Sequence, residues 1–483
     1  MRSSSYGRSS GGYFEGVDFL SILVYIAIAV IGCVCITSAT FDDASTDFFA
    51  SSHLYVRQYI WLGVSLLAAL IVLLVDASVF HKYAYVLYLF GVVLLVATLL
   101  FGREVNGAKS WFSLGPMRFQ PVELAKITTS LAVARVMSEY SFSVQDIKGL
   151  AKMAAVVLLP LAIIVLQNDT GSGIVFGSFL FVLYREGLNK WLCIPMLLIA
   201  LLFVVSFVLS PLVLLLLSIF VCVVCDAMMC GEYKQHIQYV AVLAAGTLLG
   251  VVATWLLFNE SASVYAILMC VTLLTMPFVL FNALRQQLSQ TFVIVGFFLF
   301  TMIFLPVSDY IFNTILRPHQ QNRIMSFLGM ISDPLGSDYN VNQSKIAIGS
   351  GGFWGKGFLD GTQIKYGFVP EKHTDFIFCD LAEEWGFVGV AVLLMLLATL
   401  ILRLMSMGER QVEGFGRVYC YCVASILLFH IFVNVGMTIG LMPVMGIPLP
   451  FMSYGGSSLL AFTVMIFIAF RLDASASRIG GYN

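Results

Sequence analysis

A carboxylate that could work as a base stands in Glu371-Lys372-His373-Thr374-Asp375-Phe376, directly before an apolar run long enough to cross a bilayer. At such a boundary Asp375 has two readings. It can cap the coming helix by accepting backbone N–H bonds. It can also act as a general base at the membrane surface, toward a sugar hydroxyl. Asp380, Glu383 and Glu384 follow within the first turns of the same run. Ionisable groups in a span are costly and often functional, and here both a structural and a functional role stay open. The segment from Asn313 to Phe376 is polar and Gly-rich. It carries Arg317, His319, Gln320, Gln321, Asn322 and Arg323, then Gln343, Ser344 and Lys345, then Gly349-Ser350-Gly351-Gly352. It reads as a loop without structure of its own, and loops of that length are usually functional or disordered.

A second charged pair lies in Phe119-Gln120-Pro121-Val122-Glu123-Leu124-Ala125-Lys126. Glu123 and Lys126 are three apart, so they share a helix face and can pair. Lys109, in Gly107-Ala108-Lys109-Ser110-Trp111, and Asp169, in a turn between two apolar runs, are further candidates. The run from Gly446 to Ser458 includes Pro448, Pro450, Ser453 and Tyr454, with glycines at both ends. Irregular backbone at membrane depth survives only where protein or a wet cavity surrounds it, so this run belongs beside the site. Cys222 and Cys225 form a C-x-x-C inside an apolar run, with no polar partners for zinc or redox chemistry. No Walker loop, metalloprotease motif or nucleophile elbow occurs.

The elements that must position these residues are membrane helices. The chain is 60% hydrophobic and 11% charged, with a mean hydropathy of +0.94. Soluble domains run near 25% charged. The net charge of −1 argues against a nucleic-acid partner. Apolar length predicts an all-α polytopic membrane protein with about 14 transmembrane helices and a large extracytoplasmic loop. The predicted organisation is a cytoplasmic tail over 1–16, a membrane core over 17–190, further spans over 191–290 and one helix at 291–311. A catalytic loop at 312–376, a second membrane core at 377–471 and a cytoplasmic tail at 472–483 complete it. Lys82, Lys148, Lys152, Arg185, Lys190, Lys234, Arg285, Arg403 and Arg410 fall in connections on one side, which the positive-inside rule makes cytoplasmic. Both termini lie on that side. Arg103, Lys109, Arg118 and Lys126, with Arg317, Arg323, Lys345, Lys356, Lys365 and Lys372, run against the rule. An outward basic cluster of this kind suits a phosphate-bearing ligand.

Four segments resemble the signature segments of the SEDS proteins (shape, elongation, division and sporulation). They are His319–Arg323, Gln343–Gly352, His373–Phe378 and Gly446–Ser458, in the family's order. The resemblance covers roughly 17–184 and 292–471, and Gly361-Thr362-Gln363 is closer to the RodA branch than to the FtsW branch. The resemblance implies a core of about ten spans, which leaves about four inserted within 191–290. It departs from the family pattern at Val122, Ser110 and Asn168, where a Ser, an Arg and a Pro are usual.

The resemblance implies a peptidoglycan glycosyltransferase that polymerises lipid II at the outer face of the bacterial inner membrane during cell elongation. It implies a class B penicillin-binding protein as transpeptidase partner, within the elongation machinery. Asp375 takes the place of the family's catalytic aspartate, and Glu123 and Lys126 take those of its fourth-helix pair. Lys109, Asp169, Arg317, His319, Gln320, Arg323, Gln343, Ser344, Lys345, His373, Thr374, Ser453 and Tyr454 are the remaining substrate-binding candidates. Arg317, Arg323, Lys126 or a divalent cation (Mg or Mn) would neutralise the leaving pyrophosphate, with no organic cofactor. The alternatives are a lipid II transporter and a non-catalytic scaffold for a transpeptidase.

Overall fold

Peptide groups that face lipid must be bonded within their own segment, and the long apolar runs accordingly form helices. The computed structural model describes residues 16–41, 53–105, 107–114, 117–140, 142–188, 210–230, 233–258, 263–285, 289–316, 318–328, 330 and 337–480. Among these, eight helices are long and apolar enough to cross a membrane. The span expected at 191–209 lies outside the described residues, as does Arg317.

The chain divides into two compact units, Met1–Asn189 with Asp333–Asn483, and Lys190–Ser332. The first opens with α1 (Phe19–Thr40), α2 (Leu54–Leu74) and α3 (Ala77–Phe101). A short antiparallel sheet follows, which apolar length alone did not predict. Its strands are β1 (Arg103–Val105), β2 (Ala108–Leu114) and β3 (Met117–Phe119), in that order across the sheet. Then come α4 (Pro121–Met137) and α5 (Ile147–Leu166). The span expected at 171–185 is two short helices, α6 (Thr170–Val175) and α7 (Phe179–Arg185), joined by a tighter turn at Phe176–Ser178.

The second unit holds α8 (Pro211–Cys230), α9 (Tyr233–Phe258), α10 (Val264–Arg285), α11 (Ser289–Tyr310) and α12 (Pro318–Phe327). Its small core is Leu215, Leu268, Phe298 and Met302. Gly246 and Gly250, four apart on α9, let Val271 and Ile267 of α10 approach the backbone, as small residues do between membrane helices.

The chain returns to the first unit with α13 (Ser337–Ser350), α14 (Thr362–Lys365), α15 (Ile377–Glu409), α16 (Gly414–Thr438) and α17 (Gly456–Gly480). The segment expected to be an unstructured loop is therefore partly helical. Val341, Ser344, Ala347 and Ile348 give α13 one buried face, but its residues are too small and polar to advertise a helix by hydropathy. At the centre, α4 packs on α3 and α16, and α15 packs on α1, α13 and α16. Helix α4 is not among the eight apolar spans. It can carry Glu123, Lys126 and Thr128-Thr129-Ser130 because those residues are buried in protein.

One break in this frame positions the Gly-rich stretch after α13. Helix α15 is interrupted at Gly386, whose φ of 62° and ψ of −160° are open only to glycine. The backbone groups released there are taken up by the Gly-rich stretch after α13. Lys356 N donates to Glu383 O (3.0 Å) and Gly357 N to Glu384 O (3.0 Å), while Phe387 N donates to Gly352 O (3.0 Å). Gly355 and Gly386 lie backbone to backbone, with no room for a Cβ on either. The glycines thus serve a close backbone splice.

Gly386→Ala is expected to destabilise the protein by about 1–3 kcal/mol from the backbone conformation alone, before the clash with Gly355 is counted. A thermal-unfolding series in detergent checks this. A midpoint equal to wild type would remove the splice from the account of the fold.

Candidate active site

Asp375 does not occupy the cap of α15. The cap is Phe376, which makes no side-chain cap bond, and Asp375 precedes it. What fixes it is the main chain. Three successive carbonyls are held from the C-terminal part of the chain: His373 O by Tyr454 N (2.8 Å), Thr374 O by Ser453 Oγ (2.6 Å) and Asp375 O by Asn434 Nδ2 (2.9 Å). On the other flank Thr374 Oγ1 donates to Glu371 Oε2 (3.0 Å). The half-buried Asp375 side chain lies against Gly446, where a Cβ would stand 3.6 Å from Oδ2. Gly446 has φ 69°, a turn conformation that glycine takes without strain.

The run Gly446–Tyr454 is the common support. Asn434 Nδ2 also donates to Ile447 O (2.7 Å), and Leu449 N donates to Ser453 Oγ (2.8 Å). The His430 ring bonds Pro448 O through Nδ1 (3.1 Å). Gly171 of α6 meets Met445 O so closely that no side chain fits, and Gly32 of α1 meets Phe451 and Met452 in the same way. Irregular backbone at this depth is thereby surrounded by protein, as it must be.

Beneath it lies a closed ion pair. Lys126 Nζ is 2.9 Å from Glu123 Oε1 and 3.0 Å from His430 Nε2, and sits over the Phe462 ring at 4.7 Å. Lys126 is 2% and Glu123 3% exposed, so each charge depends on the other. Asp169 caps α6 by accepting from Ser172 N (3.1 Å), and Gln120 Nε2 donates to its second oxygen (3.0 Å). Lys109 is exposed on β2, and its N–H donates to Gln167 O (2.9 Å).

Glu383 is enclosed near the start of α15. Lys356 Nζ (2.6 Å) and Gln363 N (2.9 Å) donate to its Oε1, and Ile364 N (3.1 Å) to its Oε2. Glu384 accepts from Ser38 of α1 and from Leu359 N (3.0 Å). These bonds clasp the start of α15 to α1, α14 and the Gly-rich stretch. The half-buried His373 ring lies edge-on to Tyr454 (5.8 Å), and desolvation holds its pKa below the usual histidine value. It therefore stands neutral beside the site at pH 7. Lys372 Nζ donates to Ile364 O (2.6 Å), and desolvation lowers its pKa.

The family model for FtsW, RodA and SpoVE, a cell cycle protein, matches residues 18–218 and 212–478. The chain belongs to the FtsW/RodA/SpoVE family. It is 31% identical over 463 residues to peptidoglycan glycosyltransferase RodA of Treponema pallidum, covering 96% of this chain and 98% of that protein. It is 30% identical over 445 residues to peptidoglycan glycosyltransferase MrdB of Escherichia coli K12, covering 92% and 90%. In structure it resembles a chain of a peptidoglycan synthase complex (TM-score 0.59, 26% identity, covering 95% and 98%). It shares its fold with Rod shape determining protein RodA of Thermus thermophilus (TM-score 0.54, 23% identity, covering 95% and 97%).

Within this FtsW/RodA/SpoVE chain, Asp375, His373, Thr374, Ser453 and Tyr454 are brought into direct connection. Glu123 and Lys126 join them through His430 and the Pro448 carbonyl. Ser344 is buried on α13 and donates to Thr438 O (2.5 Å). Gln343 is half-buried on the same helix, and the exposed Lys345 lays its ammonium end against Gly440. His319, Gln320 and Arg323 belong to the second unit, on α12, and Arg317 lies outside the described residues. The sequence reading missed His430 and Asn434. The signal was two polar residues four apart in the otherwise apolar stretch 427–437.

Lys126→Met leaves a buried carboxylate unpaired and is expected to cost about 3–5 kcal/mol. Adding Glu123→Gln should recover most of that loss. A double-mutant cycle of thermal midpoints checks it, and additive losses would deny the pair its mutual dependence.

Proposed function

We propose that this chain is a peptidoglycan glycosyltransferase that polymerises lipid II at the outer face of the bacterial inner membrane, with Asp375 as the general base. The observation that carries the reading is the clamp on residues 373–375. Three hydrogen bonds on consecutive carbonyls hold one carboxylate in place at the mouth of a membrane helix. A base must be held this way if it is to meet a substrate hydroxyl without reorganising. The full-length likeness to RodA and MrdB, both named peptidoglycan glycosyltransferases, supports the same reaction here.

The donor is a polyprenyl-pyrophosphate-linked glycan and the acceptor is the 4-hydroxyl of a GlcNAc on lipid II. Asp375 removes the hydroxyl proton as the oxygen attacks the donor's anomeric carbon. The bond to pyrophosphate breaks on the opposite face, so an α-linked donor yields a β-linked chain. Pyrophosphate leaves as a stable anion and needs charge neutralisation more than a proton. The proton on Asp375 then passes to solvent. Among the described residues no group of three or more His, Cys, Asp or Glu is placed to hold a metal ion.

The lysines and arginines of the short connections support cytoplasmic termini and an outward-facing Asp375. Ion pairs tie the cytoplasmic end together: Arg403 with Asp18, Arg410 with Asp473, and Arg417 with Glu186. The partner is a class B penicillin-binding protein of the elongation machinery. The likeness to a chain of a synthase complex that coordinates polymerization and crosslinking supports that assignment.

Asp375→Ala is expected to lower lipid II polymerisation by about 10²–10⁴-fold, the usual contribution of a general base. Purified protein with its transpeptidase partner, assayed for glycan length on gels, checks it. Full polymerisation by the variant would discard Asp375 as the base. Transport of lipid II across vesicles, retained by the variant, would instead favour a carrier.

A further inference from the structure

We infer that His430 is a positioning residue, bridging the buried Glu123–Lys126 pair to the loop that supports Asp375. It rests on the glycosyltransferase reading for its effect on rate, but not for its geometry.

The bonding pattern fixes the ring. A carbonyl can only accept, so the nitrogen facing Pro448 O, Nδ1, carries the hydrogen. Nε2 then presents a lone pair to Lys126 Nζ, an ammonium that can only donate. The neutral ring therefore accepts on one side and donates on the other, and both of its nitrogens are used. It is 1% exposed, and its edge packs on Phe462 (ring centroids 4.9 Å), the same ring that lies under the ammonium.

Helix α16 repeats the device one turn on. Asn434 stands four residues after His430, on the same face, and donates to Ile447 O beside Pro448. Its amide also holds Asp375 O. The two side chains thus grip adjacent carbonyls of one loop. Asn434 ties that loop to the base, and His430 ties it to the ion pair on α4. A shift of the ammonium would move the ring, then Pro448, then the seat of Asp375. His430 touches no reacting atom in this scheme. It acts through the loop.

The first measurement is ¹⁵N NMR of the full-length chain labelled at histidine, with His430→Asn to assign the signal. The expected result is an Nδ1-protonated neutral ring at position 430, in wild type and in Asp375→Ala alike. An Nε2-protonated ring overturns the bridge. No substrate is needed, so this outcome is independent of the proposed reaction.

The second measurement is polymerisation of lipid II with the transpeptidase partner. His430→Ala is expected to lower kcat by about ten- to a hundredfold, with KM within about twofold, as small displacements of catalytic groups do. His430→Asn keeps an N–H where Nδ1 stood and should restore most of kcat. His430→Gln, which can reach Lys126 but not Pro448, should restore less. Wild-type kcat in all three variants, or a change confined to KM, overturns the positioning role. If the alanine variant fails to fold, the comparison of Asn with Gln decides. An inactive wild type would sink the glycosyltransferase reading, leaving the tautomer to decide the bridge.

Discussion

Backbone that leaves a helix inside a membrane bundle must find protein partners for its peptide groups. Most of the site follows from meeting that demand twice. The run Gly446–Tyr454 meets it with side chains from α16, His430 and Asn434, and with its own Ser453. The break in α15 meets it with the backbone of residues 352–357. In each case the segment that supplies the bonds is also fixed by supplying them. The residues around Asp375 are therefore located by the satisfaction of carbonyls, before any contact of the carboxylate itself is considered.

The same demand explains where the charges lie. Lys126 could not be buried on α4 without Glu123, nor the pair without the imidazole and the Phe462 face that complete the ammonium's surroundings. Glu383 is closed off by Lys356 and two backbone N–H groups. Such groups are fixed dipoles and charges already oriented when substrate arrives.

Much of this was legible in the sequence. Asp375 stood out because a polar motif met an apolar run, and Glu123 and Lys126 because their spacing puts them on one helix face. The Pro and Gly of 446–455 were rightly read as backbone that must be sheltered. What stayed hidden depends on partners distant in sequence. His430 and Asn434 look like stray polar residues in an apolar span until Pro448, Ile447 and Asp375 are placed beside them. The glycines of 349–352 were read as part of a loop without structure of its own, whereas Gly351, with Gly355 beyond it, is needed for close approach to the backbone of α15. The short sheet at 103–119 was missed because apolar length, the measure used for spans, says nothing about strands of three to seven residues.

The break at Gly386 also settles how α15 can hold three carboxylates near its start. At 1.5 Å per residue, its 33 residues would reach about 50 Å, well beyond a hydrocarbon layer of about 30 Å. The part from Gly386 to Glu409 reaches about 36 Å and is enough to cross by itself. Asp380, Glu383 and Glu384 all lie before the break, in the part that the splice, α13 and α14 enclose. They are sheltered by protein and need not enter lipid. The far end is pinned by the ion pairs of Arg403 and Arg410 with Asp18 and Asp473. One helix therefore does two jobs on either side of a single glycine. Its long arm anchors in the membrane, and its short arm carries the foundation on which Asp375 stands.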